Sequence, residues 1–346
     1  MIQASYTQKE LLFKKPARTS RGEIRSHQVY YITLKTGNKI GIGEAAPLKG
    51  LSLDDRPDFE QKIASCCLFI NDGFPISDLD LSEFPSLKFA FESARLSLQH
   101  QQPFKLFENS FFAGTPIKIN GLIWMSTKVQ MLTEALEKAE QGYDCIKFKV
   151  GALDFDEECR MLESFRKRYS AFKIELRLDA NGAFTVDEAQ TKLKELSRFD
   201  IHSIEQPIKP KLTDWMQELC AQSPIPIALD EELIGVDNAL DGFKLLSVIK
   251  PQYIILKPTL LGGMAVADEW IQIAQKQQIG WWATSALESN IGLNAIAQWC
   301  STHKPLLPQG LGTGSLYKNN ISSPLVIDNG YLAYNSVLSW AAADDL

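Results

Sequence analysis

The stretch Cys145-Ile146-Lys147-Phe148-Lys149-Val150, closed by Gly151, has the β-branched and aromatic composition of a short β-strand. Side chains alternate along a strand, so Lys147 and Lys149 are expected on the same face. An amphipathic run starts near Asp154, which predicts that the strand leads into a helix. Two lysines on the face of a buried strand are energetically costly unless they are compensated. Taken alone, the pair is equally well explained by an edge strand with solvent-exposed lysines. The sequence downstream distinguishes these two alternatives.

Four more short apolar strands are predicted downstream, and each ends in a charged residue: 173–179 in Asp179, 201–205 in Glu205, 225–230 in Asp230 and 253–257 in Lys257. The intervals are 30, 26, 25 and 27 residues (149 to 179, 179 to 205, 205 to 230 and 230 to 257). A strand, a helix and two loops need about 30 residues in a barrel of alternating strands and helices. The C-terminal ends of its parallel strands converge on one mouth, where such barrels carry their chemistry.

Composition narrows the functional class. With 346 residues the chain is long enough for two domains and a large core. A net charge of -6 argues against binding to nucleic acid or to an anionic membrane surface. The sequence has no run of 18 apolar residues and no signal-peptide pattern at its start. The six cysteines lack CxxC spacing, so we expect reduced core residues in a cytoplasmic protein.

Residues 1–115 are predicted to form a separate α+β domain. Strands at 28–35 and 39–44 are joined by a turn at Gly37-Asn38, and helices are predicted at 58–71 and 86–101. The polar segment 16–25 contains Gly22 and predicts a flexible loop.

From residue 116 the pattern changes to alternating strands and helices, which indicates a parallel sheet across 116–324. At least seven strands with regularly spaced charged ends favour a closed barrel over an open sheet. The tail 325–346 contains another strand and is a candidate to return to the first domain.

Asp179, Glu205 and Asp230 would be three carboxylates at one mouth. Uncompensated, they would repel one another and raise one another's pKa. A hard divalent cation removes that cost, and oxygen ligands suit Mg²⁺. The alternative is three acids that cap helices or form salt bridges. Three residues are candidates to contact the ligating carboxylates without binding the metal ion themselves: Asn181, Arg177 and Glu231. Arg177 could instead pair with another acid.

Lys149 is the candidate base for removing a proton next to the carboxylate of a small-molecule substrate. The ordinary pKa of lysine, about 10.4, is too high for a base at neutral pH. Lys147 as a neighbouring cation, together with a metal ion, would lower it. Lys257, across the barrel, would stabilise negative charge or act as a second acid or base.

The ordered set Lys147-x-Lys149, Asp179-x-Asn181, Glu205-Gln206-Pro207, Asp230-Glu231 and Lys257-Pro258 resembles the muconate-lactonizing branch of the enolase superfamily. The resemblance covers nearly the whole chain. It implies an α/β fold, a modified (β/α)7β TIM barrel with an N-terminal α+β capping domain (enolase-like). It also implies metal-assisted removal of an α-proton from a carboxylate.

Within that branch the chain is most similar to the o-succinylbenzoate synthase family, through residues 43–48, 50–52, 257–263 and 285–292. The resemblance implies that Lys149 is the acid/base, that Asp179, Glu205 and Asp230 bind Mg²⁺ (or Mn²⁺), and that Lys257 contacts the enediolate. It further implies a substrate pocket lined by Arg21, Leu51, Ser285, Gly312 and Thr313. The expected reaction is dehydration of 2-succinyl-6-hydroxy-2,4-cyclohexadiene-1-carboxylate to o-succinylbenzoate, a step of menaquinone synthesis.

Related activities remain open: muconate cycloisomerase, dipeptide epimerase and N-acylamino acid racemase. Dipeptide epimerases carry an Asp-x-Asp near the last loop, and Gly312-Thr313-Gly314 offers no carboxylate there. A lysine aldolase on the same barrel would not need the three acids. A non-enzymatic relic would be expected to lose at least one of the five motifs.

Overall fold

The N-terminal part of the protein combines an antiparallel sheet with two helices. A computed structural model describes residues 1–19, 22–236 and 238–343. The sheet has the order β1 (Gln3–Thr19), β2 (Gly22–Thr36) and β3 (Lys39–Ala45), and the helices are α1 (Phe59–Asn71) and α2 (Pro85–Ser97). The predicted turn between β2 and β3 and both predicted helices are confirmed.

The prediction of a flexible loop at 16–25 is wrong. Among the described residues of this segment, Ala17 pairs with Ile24 and Arg18 with Glu23, so β1 and β2 stay paired here after a register shift between Leu12 and Ala17. The described part of the segment is mostly polar, so the backbone hydrogen bonds between the two strands stabilise it rather than the burial of apolar side chains. Ala17 packs in a core cluster with residues of the barrel mouth, which also restrains the hairpin.

The second part of the chain is a closed parallel barrel. Its sheet runs in the order β11–β10–β9–β8–β7–β6–β5. The strands are β5 (Gly121–Ile123), β6 (Cys145–Lys149), β7 (Glu175–Asp179), β8 (Ile201–Glu205), β9 (Ile227–Leu229), β10 (Tyr253–Leu256) and β11 (Gly280–Ala283), preceded by the short β4 (Ile117–Lys118). Residues Gln309 and Gly310 close the ring, because Gly310 bridges to Thr284 and Gln309 to Ile119, both in parallel.

Helices alternate with these strands. They are α3 (Lys128–Glu140), α4 (Phe155–Arg168), α5 (Val186–Leu196), α6 (Thr213–Gln222), α7 (Ala239–Ile249), α8 (Pro258–Leu261), α9 (Met264–Lys276) and α10 (Asn290–Thr302). Seven strand–helix units and a final short strand give the predicted modified (β/α)7β barrel. Every residue of β6 is buried, so the exposed-edge alternative for its two lysines is excluded.

The tail forms a small antiparallel sheet, in which β12 (Leu325–Asp328) pairs with β13 (Tyr331–Tyr334) and β13 with β4. Further along, Trp340 stacks on Phe104 of the N-terminal part, with ring centroids 4.3 Å apart. The division into units at 1–115 and 116–324 stays a prediction. Across the described part of the chain, none of the helices is both long and apolar enough to cross a membrane.

A buried acid, Glu44, and a half-buried one, Glu92, join the cap to the barrel helices. Glu44 of β3 accepts hydrogen bonds from the backbone N–H groups of Ser289 and Gly292, each at 2.7 Å, at the start of α10. Glu92 of α2 accepts from Met264 N at 2.6 Å and Ala265 N at 2.9 Å, at the start of α9. Carboxylates at helix N-termini satisfy unpaired N–H groups and complement the helix dipole. These contacts hold the cap loops over the barrel mouth.

We expect Gly43→Ala to destabilise the cap. A Cβ atom at Gly43 would lie 1.9 Å from the carbonyl oxygen of Ala90, because β3 packs directly on α2 there. Backbone has to shift to accept it, at a cost of about 1–3 kcal/mol in the free energy of unfolding. Urea denaturation followed by circular dichroism would measure this loss, and an unchanged midpoint would contradict the close packing.

Candidate active site

Three acidic side chains meet at the mouth of the barrel. Asp179 and Glu205 are the last residues of β7 and β8, and Asp230 directly follows β9. One carboxylate oxygen from each acid lies within 4.8 Å of the other two, and all three residues are buried. The convergence predicted from the strand ends is thus present in the structure.

Three lysines lie against these acids. Lys147 Nζ is 2.8 Å from Glu205 Oε2 and 3.1 Å from Asp179 Oδ2. Lys149 Nζ is 2.6 Å from Asp179 Oδ2, and Lys257 Nζ is 2.5 Å from Asp230 Oδ2. The site therefore places three ammonium groups against three carboxylates in a buried environment, where charges have to be compensated.

The acid cluster fits a divalent cation. Burial raises the pKa of Glu205 to about 8; Lys147 opposes this shift, while Asp179 and Asp230 add to it. Burial also raises the pKa of Asp230 above its ordinary value. Protein groups thus leave the negative charges of Glu205 and Asp230 incompletely compensated. Burial also acts to raise the pKa of Asp179, but Lys149 and Lys147 outweigh it and lower that pKa. Three converging carboxylate oxygens are the donor set that a hard divalent ion prefers.

The two lysines of β6 differ in their electrostatic environment. Burial and the charges of Lys147 and Lys257 lower the pKa of Lys149, although Asp179 opposes this. Burial also acts to lower the pKa of Lys147, but Glu205 and Asp179 outweigh it and raise that pKa. Of these two lysines, Lys149 therefore gives up its proton more readily.

The structure separates the three residues expected behind the acids. Asn181 Oδ1 accepts from Lys149 Nζ at 2.8 Å, and Asn181 Nδ2 donates to Glu231 Oε1 at 3.0 Å, so these two residues lie beside Lys149. For Arg177 the structure shows the alternative stated above, in which it pairs with another acid. Its side chain extends toward the N-terminal end of β7, where Nε lies 2.7 Å from Glu175 Oε1 and Nη1 donates to Pro308 O. The face it shares with Asp179 does not fix which way a long side chain extends.

A cavity of about 370 Å³ opens beside the acids and lysines. Four of the five residues expected to contact substrate line it together with Lys147, Lys149 and Lys257: Leu51, Ser285, Gly312 and Thr313. Arg21 lies outside the described residues. Asp179 and Asn181 also line the cavity, so one acid of the cluster faces the same space as Lys149.

The hydroxyl of Ser285 is fully used inside the protein. It donates to Glu288 Oε2, and it accepts from Leu287 N at 3.1 Å and Thr313 Oγ1 at 2.7 Å. Glu288 is completely buried and also accepts from Thr259 Oγ1 at 2.5 Å. Ser285 therefore shapes the cavity wall, with its hydroxyl proton committed to Glu288.

Three further residues, which the charged strand ends do not indicate, line the cavity: Asn120, Trp124 and Thr284. Strand alternation carried a usable signal for the first two, because 120, 122 and 124 share the inward face of the first barrel strand. Thr284 directly follows β11, at the mouth.

Comparison with known proteins places the chain in a family. Residues 130–336, more than half of the chain, match the family described as "Enolase C-terminal domain-like". The chain is a member of the enolase superfamily. The capped (β/α)7β barrel and the buried acid cluster agree with this membership, and enzymes of the superfamily use a divalent metal.

Individual members are similar over very different lengths. The o-succinylbenzoate synthase of Desulfotalea psychrophila is 41% identical over 363 residues, covering 96% of this chain and 98% of that protein. The crystal structure of MenC from the same organism superposes with a TM-score of 0.87 at 39% identity, covering 96% and 99% of the two chains. An N-succinylamino acid racemase from Amycolatopsis is 29% identical over 60% of this chain and 55% of its own. The similarity to the first two extends through both the cap and the barrel.

Proposed function

We propose that the protein is an o-succinylbenzoate synthase, a lyase that dehydrates 2-succinyl-6-hydroxy-2,4-cyclohexadiene-1-carboxylate to o-succinylbenzoate. The observation that carries the proposal is the joint lining of one cavity by Lys149, Lys257 and Asp179. The near-full-length similarity to an o-succinylbenzoate synthase selects this reaction among those of the superfamily.

Asp179, Glu205 and Asp230 would hold the metal ion, for which we propose Mg²⁺, with Mn²⁺ as a substitute, because all three donors are carboxylate oxygens. The bound ion would supply electrostatic stabilisation of the charge that develops on the substrate carboxylate. Lys147, in contact with Glu205 and Asp179, orients these two acids.

Lys149 would carry the proton transfers. Its neutral amine takes the proton from ring carbon 1, and the C–H electrons move toward the carboxylate. The C–O bond at carbon 6 then breaks, and the ammonium of Lys149 returns the proton to the departing hydroxide, which leaves as water. One lysine serves both steps if the hydrogen and the hydroxyl leave from the same ring face. Formation of the aromatic ring favours the product.

Lys257 would act through its charge. Only 12% of its side chain is exposed, and Asp230 holds its ammonium at the cavity. From there it would stabilise the developing anion or lie over the ring face as a cation–π contact. Cytoplasmic location is part of the same proposal, since all six cysteines are free and buried.

The reaction is testable directly. Purified protein incubated with the cyclohexadiene and Mg²⁺ is expected to consume it well above the background rate, followed by the change in ultraviolet absorbance as the ring aromatises. The parallel assays use cis,cis-muconate, an N-succinylamino acid and a dipeptide. Turnover of one of these without loss of the cyclohexadiene would assign the chain to another activity of the superfamily.

A further inference from the structure

The acid cluster occupies one side of the barrel mouth. Asp179, Glu205 and Asp230 belong to its third, fourth and fifth strands, while Lys149 and Lys257 belong to the second and sixth. A substrate whose carboxylate points at the acids, with its reacting carbon between the two lysines, must direct its remaining substituents the other way. That side is formed by the seventh strand, the closing strand at 309–310 and the first strand.

Two polar side chains on that side lack partners. Within the described residues no hydrogen-bond partner reaches Asn120 Oδ1 or Thr284 Oγ1, and both atoms are buried. Asn120 is 3% exposed and Thr284 is 9% exposed, and both line the cavity that contains Lys149 and Lys257. Leaving a buried polar group unsatisfied costs about 1–3 kcal/mol, so such groups call for an explanation.

The closing strand lies between these two side chains in the barrel. Gly310 bridges to Thr284 on one side, and Asn120 N donates to Gln309 O at 2.9 Å on the other. A Cβ atom at Gly310 would lie 2.5 Å from Thr284 Oγ1. The Thr284 side chain therefore packs directly on the backbone of Gly310, and we call the part of the cavity wall formed by Asn120, Thr284 and Gly310 the recess.

The chemistry of the recess is neutral. Rotation of the Asn120 amide about its terminal torsion presents an N–H donor, and the Thr284 hydroxyl is a second donor. Two uncharged donors suit a carbonyl oxygen, whereas a buried carboxylate requires a charged partner. The neighbouring Ser285 offers no donor, because its proton is committed to Glu288.

We propose that this recess binds the carbonyl oxygen of the acyl group attached next to the reacting carbon of the substrate. The inference rests on the proposed function and deepens it, since the succinyl ketone lies on the ring carbon adjacent to the one that loses its proton. Asn120 and Thr284 are then residues that select acyl-bearing substrates over diacids lacking that carbonyl. A substrate with the carbonyl pairs both buried donors, whereas an analogue without it leaves both unpaired. The recess therefore discriminates strongly between the two ligands.

Calorimetry on the Mg²⁺-loaded protein tests the recess without relying on turnover. The two ligands are o-succinylbenzoate and 2-(3-carboxypropyl)benzoate, in which CH₂ replaces the ketone. The wild-type protein is expected to prefer the ketone ligand by roughly 10-fold or more, the equivalent of one or two hydrogen bonds. Thr284→Val, which keeps the shape and removes the hydroxyl, is expected to lose most of that preference, while Thr284→Ser retains it. Thr133→Val on the exposed face of α3 is the matched control.

The outcomes separate the two proposals. Turnover of the cyclohexadiene together with an unaltered ketone preference in Thr284→Val overturns the recess and leaves the function standing. A ketone preference that Thr284→Val loses, in a protein that does not turn over the cyclohexadiene, supports the recess and overturns the function. Absence of any preference in the wild-type protein overturns the recess. Asn120→Leu gives a second, independent variant should Thr284→Val fail to fold.

Discussion

Lys149→Ala is expected to lower turnover of the cyclohexadiene by at least about 10³-fold, because it removes the group that takes and returns the proton. Lys149 Nζ lies at the cavity between Asp179 and Asn181, and it is the lysine whose pKa is lowered by burial and by the charges of Lys147 and Lys257. Stopped-flow or steady-state ultraviolet assays would measure the loss. Binding of o-succinylbenzoate, measured by calorimetry, is expected to survive, since the acids and Lys257 remain.

Matched substitutions distinguish a base from a structural cation. Lys149→Arg keeps the charge but cannot release a proton near neutral pH, so it is expected to be as inactive as the alanine variant. Lys257→Arg keeps the charge on which its role depends and is expected to retain part of the activity. Lys167→Ala, on the exposed surface of α4, is the control. An active Lys149→Ala beside an inactive Lys147→Ala would show that the roles of the two lysines are reversed.

Asp230→Asn is expected to weaken divalent-cation binding by more than about 10-fold and to abolish most of the turnover, because an amide oxygen replaces one of three anionic ligands. Calorimetric titration of the chelator-treated protein with Mg²⁺ measures the affinity. Ligand binding to the folded state raises the melting temperature. The Mg²⁺-dependent rise seen for the wild-type protein is therefore expected to disappear in the variant.

The control for the metal prediction is Asp214→Asn, an exposed residue of α6 that should leave the affinity unchanged. Circular dichroism establishes that the Asp230→Asn barrel is folded before its affinity is interpreted. Full turnover by wild-type protein after exhaustive chelation would refute the requirement for a metal ion. Restored turnover with Mn²⁺ after chelation would show that the acids accept either ion.

Local periodicity explains which features were predictable. Strand alternation fixes the face of each residue, and parallel strands end at one edge. The sequence therefore located at the barrel mouth the two lysines of β6, the acids that end β7 and β8, and Asp230 after β9. The hairpin at 16–25 was missed because its stability comes from pairing between Ala17 and Ile24, which a polar composition conceals. The sequence left two roles open for Arg177, because a long side chain can extend toward either end of its strand, and the structure pairs it with Glu175.

The sequence by itself determined the closed barrel, its capping unit and the convergence of three acids and three lysines, since these follow from short-range patterns repeated along the chain. Only the tertiary structure decided which hydroxyls are available to a substrate. The Ser285 hydroxyl is saturated by Glu288 and Thr313, whereas Asn120 Oδ1 and Thr284 Oγ1 have no hydrogen-bond partner among the described residues. These side chains come from the first and the last strands of the barrel. They become neighbours only once the strand at 309–310 closes the ring.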